Sequence, residues 1–375
     1  MTTPRHVLWG SELSPFALKI RAMFEQVELP YRWLPADGGR LENLRVDLRI
    51  TVAKLRRTVV RYPASSPLDE YPLVPFVVED DARVLYDSSS IGGWLDTLGR
   101  SSPLLPRDPT TRFVAQLIDE AFDEFGLYML HHNRWVVSAR DNDAGARVAR
   151  EFARVLPPGS QGIFAAGFSR RQIRRLPYLF SVGPSARVGF PETHSLLERA
   201  WFEYLDAIES ILVRRPFLLG ERFTIADASA FGQLGGNFID PSAHARLRAR
   251  APRTHQWLDG LFRAEHRGSG GEVAFDDTIA PLLRIIGRTF VPLMQQNEQA
   301  WMSSCAAGEA LFNEPAFDRG RALYDGELLG RPFRSVAKTF QVRVWRDLVR
   351  SFSELSVAAR ARVEDALGGS VESVR

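Results

Sequence analysis

Apolar and polar positions follow two different rhythms along the chain. Up to about residue 98, short apolar runs alternate with helical spacings, and beyond residue 110 the spacing is helical throughout. His6 to Trp9 is an apolar run ending at Gly10 and predicts a buried strand. Ser14 then Pro15 is a helix start, a hydroxyl cap followed by proline in the first turn, and Ile20, Met23, Phe24 and Val27 continue at helical spacing. Pro30 ends that helix, and Tyr31 to Leu34 predicts a second strand. Leu41, Leu44, Leu48, Val52, Leu55 and Val59 keep a three-and-four spacing, which predicts one long amphipathic helix inserted at about 37–71, before Pro63, Pro67 and Pro72 break the chain. Val74 to Val78 and Arg83 to Tyr86 predict two more strands joined by a turn at Asp80-Asp81. Asp87-Ser88-Ser89-Ser90 then caps a helix carrying Ile91, Trp94, Leu95 and Leu98. The order is β-α-β, a helix, then β-β-α, an α/β layer ending in a hairpin.

Residues 99–110 are proline-rich and carry no period, so the boundary between two domains is expected there. One long helix is expected over 111–140, and an extended loop with a short helix around Gln172 over 155–192. Strong helices are expected over 193–214 and 224–238, and a flexible break at Arg267-Gly268-Ser269-Gly270-Gly271. Three or more helices follow in 278–375.

Composition changes this picture little. The 375 residues carry 45% hydrophobic and 25% charged positions, ordinary globular values for two or three domains. No apolar run is long enough to span a bilayer, and Met1-Thr2-Thr3-Pro4-Arg5 has no apolar signal region, so no membrane association and a cytoplasmic location are expected. The single cysteine, Cys305, forms no internal disulfide and argues against a cysteine-based metal site; it is expected to be a buried small hydrophobe. Lys19, Lys54 and Lys338 are the only lysines, and the net charge is +3. The arginine clusters, Arg56-Arg57 and Arg170-Arg171 with Arg174-Arg175, are short and nearly balanced by acids, so nucleic acid is not expected as a partner.

Local patterns then coincide in order. Ser14-Pro15-Phe16 closes the first strand and is followed by Lys19-Ile20-Arg21; Val74-Pro75 opens the third strand; Asp87-Ser88 precedes Ile91. Far downstream lie Phe217-Leu218-Leu219-Gly220 and Phe223-Thr224-Ile225-Ala226-Asp227, then Pro252 and Trp257. Together these resemble the glutathione transferase superfamily, well over 6–98 and in part over 195–262. The resemblance implies a thioredoxin-like glutathione-binding domain at 1–103, then an all-α glutathione-transferase-like domain at 104–375, with 268–375 a helical extension. It implies glutathione as co-substrate, no metal, a small apolar electrophile as acceptor, a role in detoxification and a homodimer.

The chemistry behind these positions is specific. A free thiol has a pKa of about 8.5, so a glutathione thiol is mostly protonated at neutral pH. A helix N-terminus supplies unpaired amides and a positive dipole end, and a hydroxyl there can donate to the sulfur. Ser14 is therefore the candidate catalytic residue, with Ser11 the runner-up; the plain alternative is that Ser14 only caps the helix. The resemblance makes Ser14 and Phe16 part of the glutathione site and makes the Val74–Pro75 bond cis, with the Val74 backbone pairing with the cysteinyl unit. It gives Ser88 the γ-glutamyl carboxylate and Asp87 the ammonium; the plain reading of both is N-capping. Many relatives carry a basic residue just before the Val-Pro pair. Tyr71-Pro72-Leu73 stands there in this chain, and Lys54, Arg56 or Arg57 could substitute.

Thr224 and Asp227 form a capping box and are read as structural. Tyr128, His131, His132 and Trp135 crowd one stretch of the first long helix, with Asn133 among them, and are the candidates for the acceptor site. Adjacent helical residues point about 100° apart, so His131 and His132 are poor joint metal ligands. A non-catalytic glutathione- or ligand-binding protein of the same fold, or a protein-interaction adaptor using the C-terminal helices, are the alternatives to an enzyme.

Overall fold

In the computed structural model, residues 6–61, 68, 74–79, 83–99, 103–182, 188–369 and 371 are described. Four strands form the first sheet: β1 (His6–Trp9), β2 (Tyr31–Leu34), β3 (Phe76–Glu79) and β4 (Arg83–Leu85). Their order is β2-β1-β3-β4, with β2 parallel to β1 and the β1–β3 and β3–β4 pairs antiparallel. Helices α1 (Pro15–Gln26), α2 (Arg40–Leu55) and α3 (Ser88–Thr97) complete this thioredoxin-like unit. Side chains alternate across the strands. Leu8 and Val77 join the core made with α1 and α3, while Trp9, Phe76 and Val78 join a separate cluster with Val46, Ile50 and Ala53 of α2.

That second cluster corrects the expected face of α2. The helix stops at Leu55, and its buried positions are Asn43, Val46, Ile50 and Ala53. Leu41, Leu48 and Leu55, the stripe that suggested a core face, are 85%, 63% and 75% exposed. Two apolar stripes run along this helix, and the smaller side chains fit the sheet. The expected turn at Asp80-Asp81 and the breaks at Pro63, Pro67 and Pro72 lie outside the described residues.

The proline-rich connection is held in place. Asp96 accepts from the backbone N–H groups of Leu104 and Leu105 at 2.8 and 2.9 Å, and Asp108 caps the next helix through Thr111. From there the chain is helical: α4 (Pro109–Ala121), a π-helical turn at Phe122–Gly126, α5 (Leu127–His132) and a second π turn at Asn133–Val137. The expected single helix is thus one continuous helical path with two register shifts, and such turns often occur at functional sites. Next come α6 (Ala144–Glu151) and α7 (Gln161–Arg174), the latter in a stretch expected to be mostly loop. Gly162 and Gly167 lower the helical signal there.

Then follow α8 (His194–Leu212), α9 (Ile225–Gly235), a 3-10 turn at Gly236–Ile239, α10 (Pro241–Arg250) and α11 (Pro252–Phe262). The Thr224–Asp227 capping box starts α9 as expected. Gly232 of α9 lies against the start of α1, where a Cβ would come within 2.4 Å of the Pro15 carbonyl oxygen. This close approach seats the beginning of α1 on the helical half.

The C-terminal part holds α12 (Ala280–Arg288), α13 (Phe290–Ala306), α14 (Asn313–Asp318), strands β5 (Leu323–Leu328) and β6 (Arg331–Val336), then α15 (Thr339–Ser353) and α16 (Val357–Leu367). It is therefore not all-α. The two strands form an antiparallel hairpin through Leu329-Gly330, both with positive φ, as a two-residue hairpin turn requires. Val344, Trp345 and Phe352 of α15 belong to the same continuous core as α1, α4 and α9, so this part is built into the fold. Cys305 is exposed, not buried as expected, because the end of α13 projects beyond the core.

Candidate functional site

A cleft of about 520 Å³ lies where the end of the sheet, the α4–α5 path, α7 and α15 meet. Ser11, Ser14, Phe16, Val74, Pro75, Asp87 and Ser88 all line it. The fold thus gathers the glutathione-site candidates from three distant parts of the sequence.

Ser14 is the N-cap of α1: its Oγ accepts from the Ala17 N–H at 3.3 Å, and Pro15 opens the first turn. The positive end of the α1 dipole therefore opens beside the hydroxyl. Ser11 also faces the cleft, with its Oγ accepting from the Leu13 N–H at 3.1 Å. Arg134 fixes this turn from behind. It donates to the Leu13 carbonyl at 3.0 Å and the Gly236 carbonyl at 3.0 Å, and it pairs with the buried Asp240 at 2.9 Å. At Gly10 an added Cβ would lie 3.1 Å from the Ala17 Cβ and 3.2 Å from the Pro75 Cβ, so glycine lets strand, helix and proline converge. The Val74–Pro75 bond is cis, and Val74 is 45% exposed at the rim.

Asp87 precedes α3 with φ +74°, a backbone conformation that a non-glycine residue adopts at some cost. Its carboxylate accepts from the Ser90 N–H at 3.0 Å and pairs with Arg61 at 3.0 Å and Arg343 at 3.3 Å. Ser88 donates to Asp123 at 3.2 Å. Behind it, the fully buried Lys19 of α1 pairs with Asp119 and Asp123, both at 2.6 Å, and donates to Ser89 at 2.9 Å. Burial pushes the Lys19 ammonium down, but Asp119 and Asp123 more than reverse this, so its pKa is raised and it stays charged.

Acids dominate the helical wall. Burial, followed by Asp119 and Asp123, holds the Glu120 carboxyl well above the usual range. Burial lifts Asp123 to about 7 despite Lys19, and lifts Glu124 to about 7 although Gln341 of α15 donates to it at 3.0 Å. Phe152, Phe164, Phe168, Tyr178 and Phe340 add aromatic walls, and Arg175 and Gln172 of the α7 end add polar groups.

The acceptor-site candidates divide. His131 and Trp135 line the cleft. His131 bonds the Leu127 carbonyl at 3.1 Å, and burial with Arg134 nearby lowers it to about 4. His132 turns to the core, where its ring lies 4.8 Å from that of His194, and burial lowers it to about 3. Tyr128 is buried, its hydroxyl bonded to Lys338 at 2.6 Å and Gln341 at 2.8 Å, and it stands behind the wall. Asn133 bonds Asn237 at 2.8 Å in the core.

None of the basic residues offered as substitutes lines the cleft. Lys54 lies 5.6 Å over the Phe76 ring, and Arg56 and Arg57 are exposed. The guanidinium groups beside Asp87 are those of Arg61 and Arg343, neither of which sequence reasoning singled out. Arg343 is 256 residues from Asp87, and no spacing in the chain announces that pairing.

The family model for the glutathione S-transferase C-terminal domain matches residues 191–260, the segment from the start of α8 to α11. No curated protein sequence matches the chain. Solved structures give matches at low identity. A glutathione S-transferase from Pseudomonas fluorescens is 18% identical, with 68% of this chain and 93% of that one covered and a TM-score of 0.32. The β-etherase LigF from Sphingobium sp. strain SYK-6 is 17% identical, with coverages of 68% and 94% and a TM-score of 0.42. A glutathione S-transferase of Ceriporiopsis subvermispora in complex with glutathione is 15% identical, with coverages of 72% and 99% and a TM-score of 0.44.

Proposed function

We propose, from the premise that this chain belongs to the glutathione S-transferase superfamily, that the cleft binds glutathione and activates its thiol for attack on a small apolar electrophile. The observation that carries the reading is the meeting of Ser14, Val74 and Ser88 around one cleft at the N-termini of α1 and α3. In this reading the Ser14 hydroxyl turns toward the sulfur, and the α1 N-terminus lowers the thiol pKa by favouring the anion. The thiolate attacks the electrophilic carbon, a thioether forms, and the leaving group departs with the bonding pair. The aromatic walls hold the acceptor by burying its apolar surface. His131 is neutral near pH 7, as its pKa of about 4 requires, so it enters as a polar neutral group and not as a cation. The partners implied are the electrophile and a second copy of the chain.

Retention on immobilised glutathione and conjugation of an aryl halide test the reading. Wild type should do both, and Ser14→Ala should lose at least tenfold in turnover while still binding the resin. Full turnover by Ser14→Ala would remove Ser14 from the mechanism and move attention to Ser11. A wild type that neither binds glutathione nor conjugates the halide would contradict the enzyme reading.

A further inference from the structure

Outside the cleft, two histidines meet head to head. His244 of α10 and His255 of α11 bring their Nε2 atoms to 2.8 Å, with ring centroids 5.0 Å apart and planes within 11° of each other. Nearly coplanar rings at that separation touch only through these nitrogens. One ring must donate its Nε2–H and the other accept with its Nε2 lone pair, because two lone pairs or two N–H groups would repel. Both rings stack on Phe238, from the 3-10 turn before α10, at 4.6 Å and 19° for His244 and 4.8 Å and 14° for His255. Phe238 in turn packs on Phe262 at 5.2 Å. The buried Ala251 and then Pro252 join the two helices and hold the spacing of the pair. Both imidazoles are half-buried, so solvent and ions reach them.

We propose that His244 and His255 form a two-nitrogen site for a divalent transition-metal cation of the zinc or copper kind, built on the Phe238 ring. Imidazole nitrogen suits such cations. Two nitrogens on a tetrahedral zinc, each about 2.0–2.1 Å from it, stand about 3.3 Å apart, so the pair has to open by about 0.5 Å from its 2.8 Å contact. Rotation of the rings in their own planes provides this while their faces stay on Phe238. The donating ring passes its proton from Nε2 to Nδ1 through water, so both lone pairs face the ion and no net proton is released. Asp259, one helical turn after His255, adds negative charge that acts on His244; the Arg248 guanidinium opposes it, and Arg263 shares the Asp259 carboxylate. Among the described residues no group of three or more His, Cys, Asp or Glu side chains gathers into a cage. Water therefore completes the coordination, and the ion exchanges instead of forming a closed structural centre. Bound there, it ties α10 to α11. The site departs from the expectation of no metal. Neither histidine lines the cleft, so the site does not depend on the glutathione reading.

Calorimetry of the full chain with Zn2+ alone, in a buffer without chelators, tests the site. Wild type should bind one Zn2+ per chain at micromolar concentration. His244→Gln and His255→Gln should each weaken binding at least tenfold, since either leaves a single nitrogen. Zn2+ should also raise the unfolding midpoint of wild type and leave both variants unmoved, because an ion that binds only the folded pair stabilises by mass action. Electron paramagnetic resonance of wild type with one equivalent of Cu2+ reads the donors with no variant, and should show two imidazole nitrogens. No binding of Zn2+ by wild type, binding that survives either substitution, or a Cu2+ spectrum with fewer than two nitrogen donors would overturn the site and leave the glutathione reading intact.

Discussion

The turn at Ser14 and the helix α15 border the same cleft, yet they reach it by different physics. The turn is local: a cap, a proline and a helix start lie within a few residues, and the Ser14 Oγ bonds the Ala17 N–H three residues on. The α15 contribution is long-range. Phe340 and Arg343 reach the cleft only because Val344, Trp345 and Phe352 of the same helix are buried in the main core. A short motif thus forms one wall, while tertiary packing forms the other. Substitutions in the two regions should therefore fail differently, the turn in activity and α15 in stability.

The largest effect is expected at Trp345, which is fully buried. Trp345→Ala should cost about 3–5 kcal/mol in denaturant unfolding, as large-to-small core changes do. A loss under about 1 kcal/mol would mean that α15 is an appendage, and the comparison would collapse. Next is Asp227→Ala. Asp227 accepts from the Thr224 N–H, the Thr224 hydroxyl and the Leu218 N–H at 2.8, 2.8 and 2.7 Å. Removing it strands buried donors and should cost about 3 kcal/mol, more than an ordinary cap.

The adjacent histidines give a sharper contrast. The His132 pKa is about 3 in the fold against an ordinary 6.5. A depressed pKa means that the unfolded chain takes up the proton first, so the stability tied to neutral His132 is full above pH 6.5 and drains away as pH falls toward 3. Unfolding curves at pH 7 and pH 5 should therefore show wild type losing about 2 kcal/mol relative to His132→Asn. An unchanged difference would place His132 in contact with water. Ser14→Ala should lower stability by only about 1 kcal/mol, the value of a cap; a loss as large as that at Trp345 would make the serine mainly structural. Cys305→Ser, at an exposed position, should stay within about 0.5 kcal/mol of wild type.

What the sequence made legible follows the same division. The short apolar runs of the strands, the start of α1, the capping of α3 and the α9 box are set by residues a few positions apart, and short-range spacing records them. The face of α2 was misread because it has two apolar stripes, and only the sheet decides between them. The β5–β6 hairpin was missed because its turn is Leu329-Gly330, while the stronger turn signal, Asp325-Gly326, lies inside a strand. Tyr128 and His132 were grouped with His131 and Trp135 by proximity in sequence, but successive helical positions face different ways, and only the latter two reach the cleft. The pairs Arg61–Asp87 and Arg343–Asp87 leave no trace in spacing at all, because nothing local requires them.

On the proposed function, the one cleft walled by the Ser14 turn and by α15 holds glutathione. A crystal structure of the full chain soaked with glutathione tests it most directly. The tripeptide should lie in this cleft, its sulfur within hydrogen-bond distance of the Ser14 Oγ and its γ-glutamyl head beside Ser88. A tripeptide bound elsewhere, or a sulfur facing away from both Ser14 and Ser11, would contradict it.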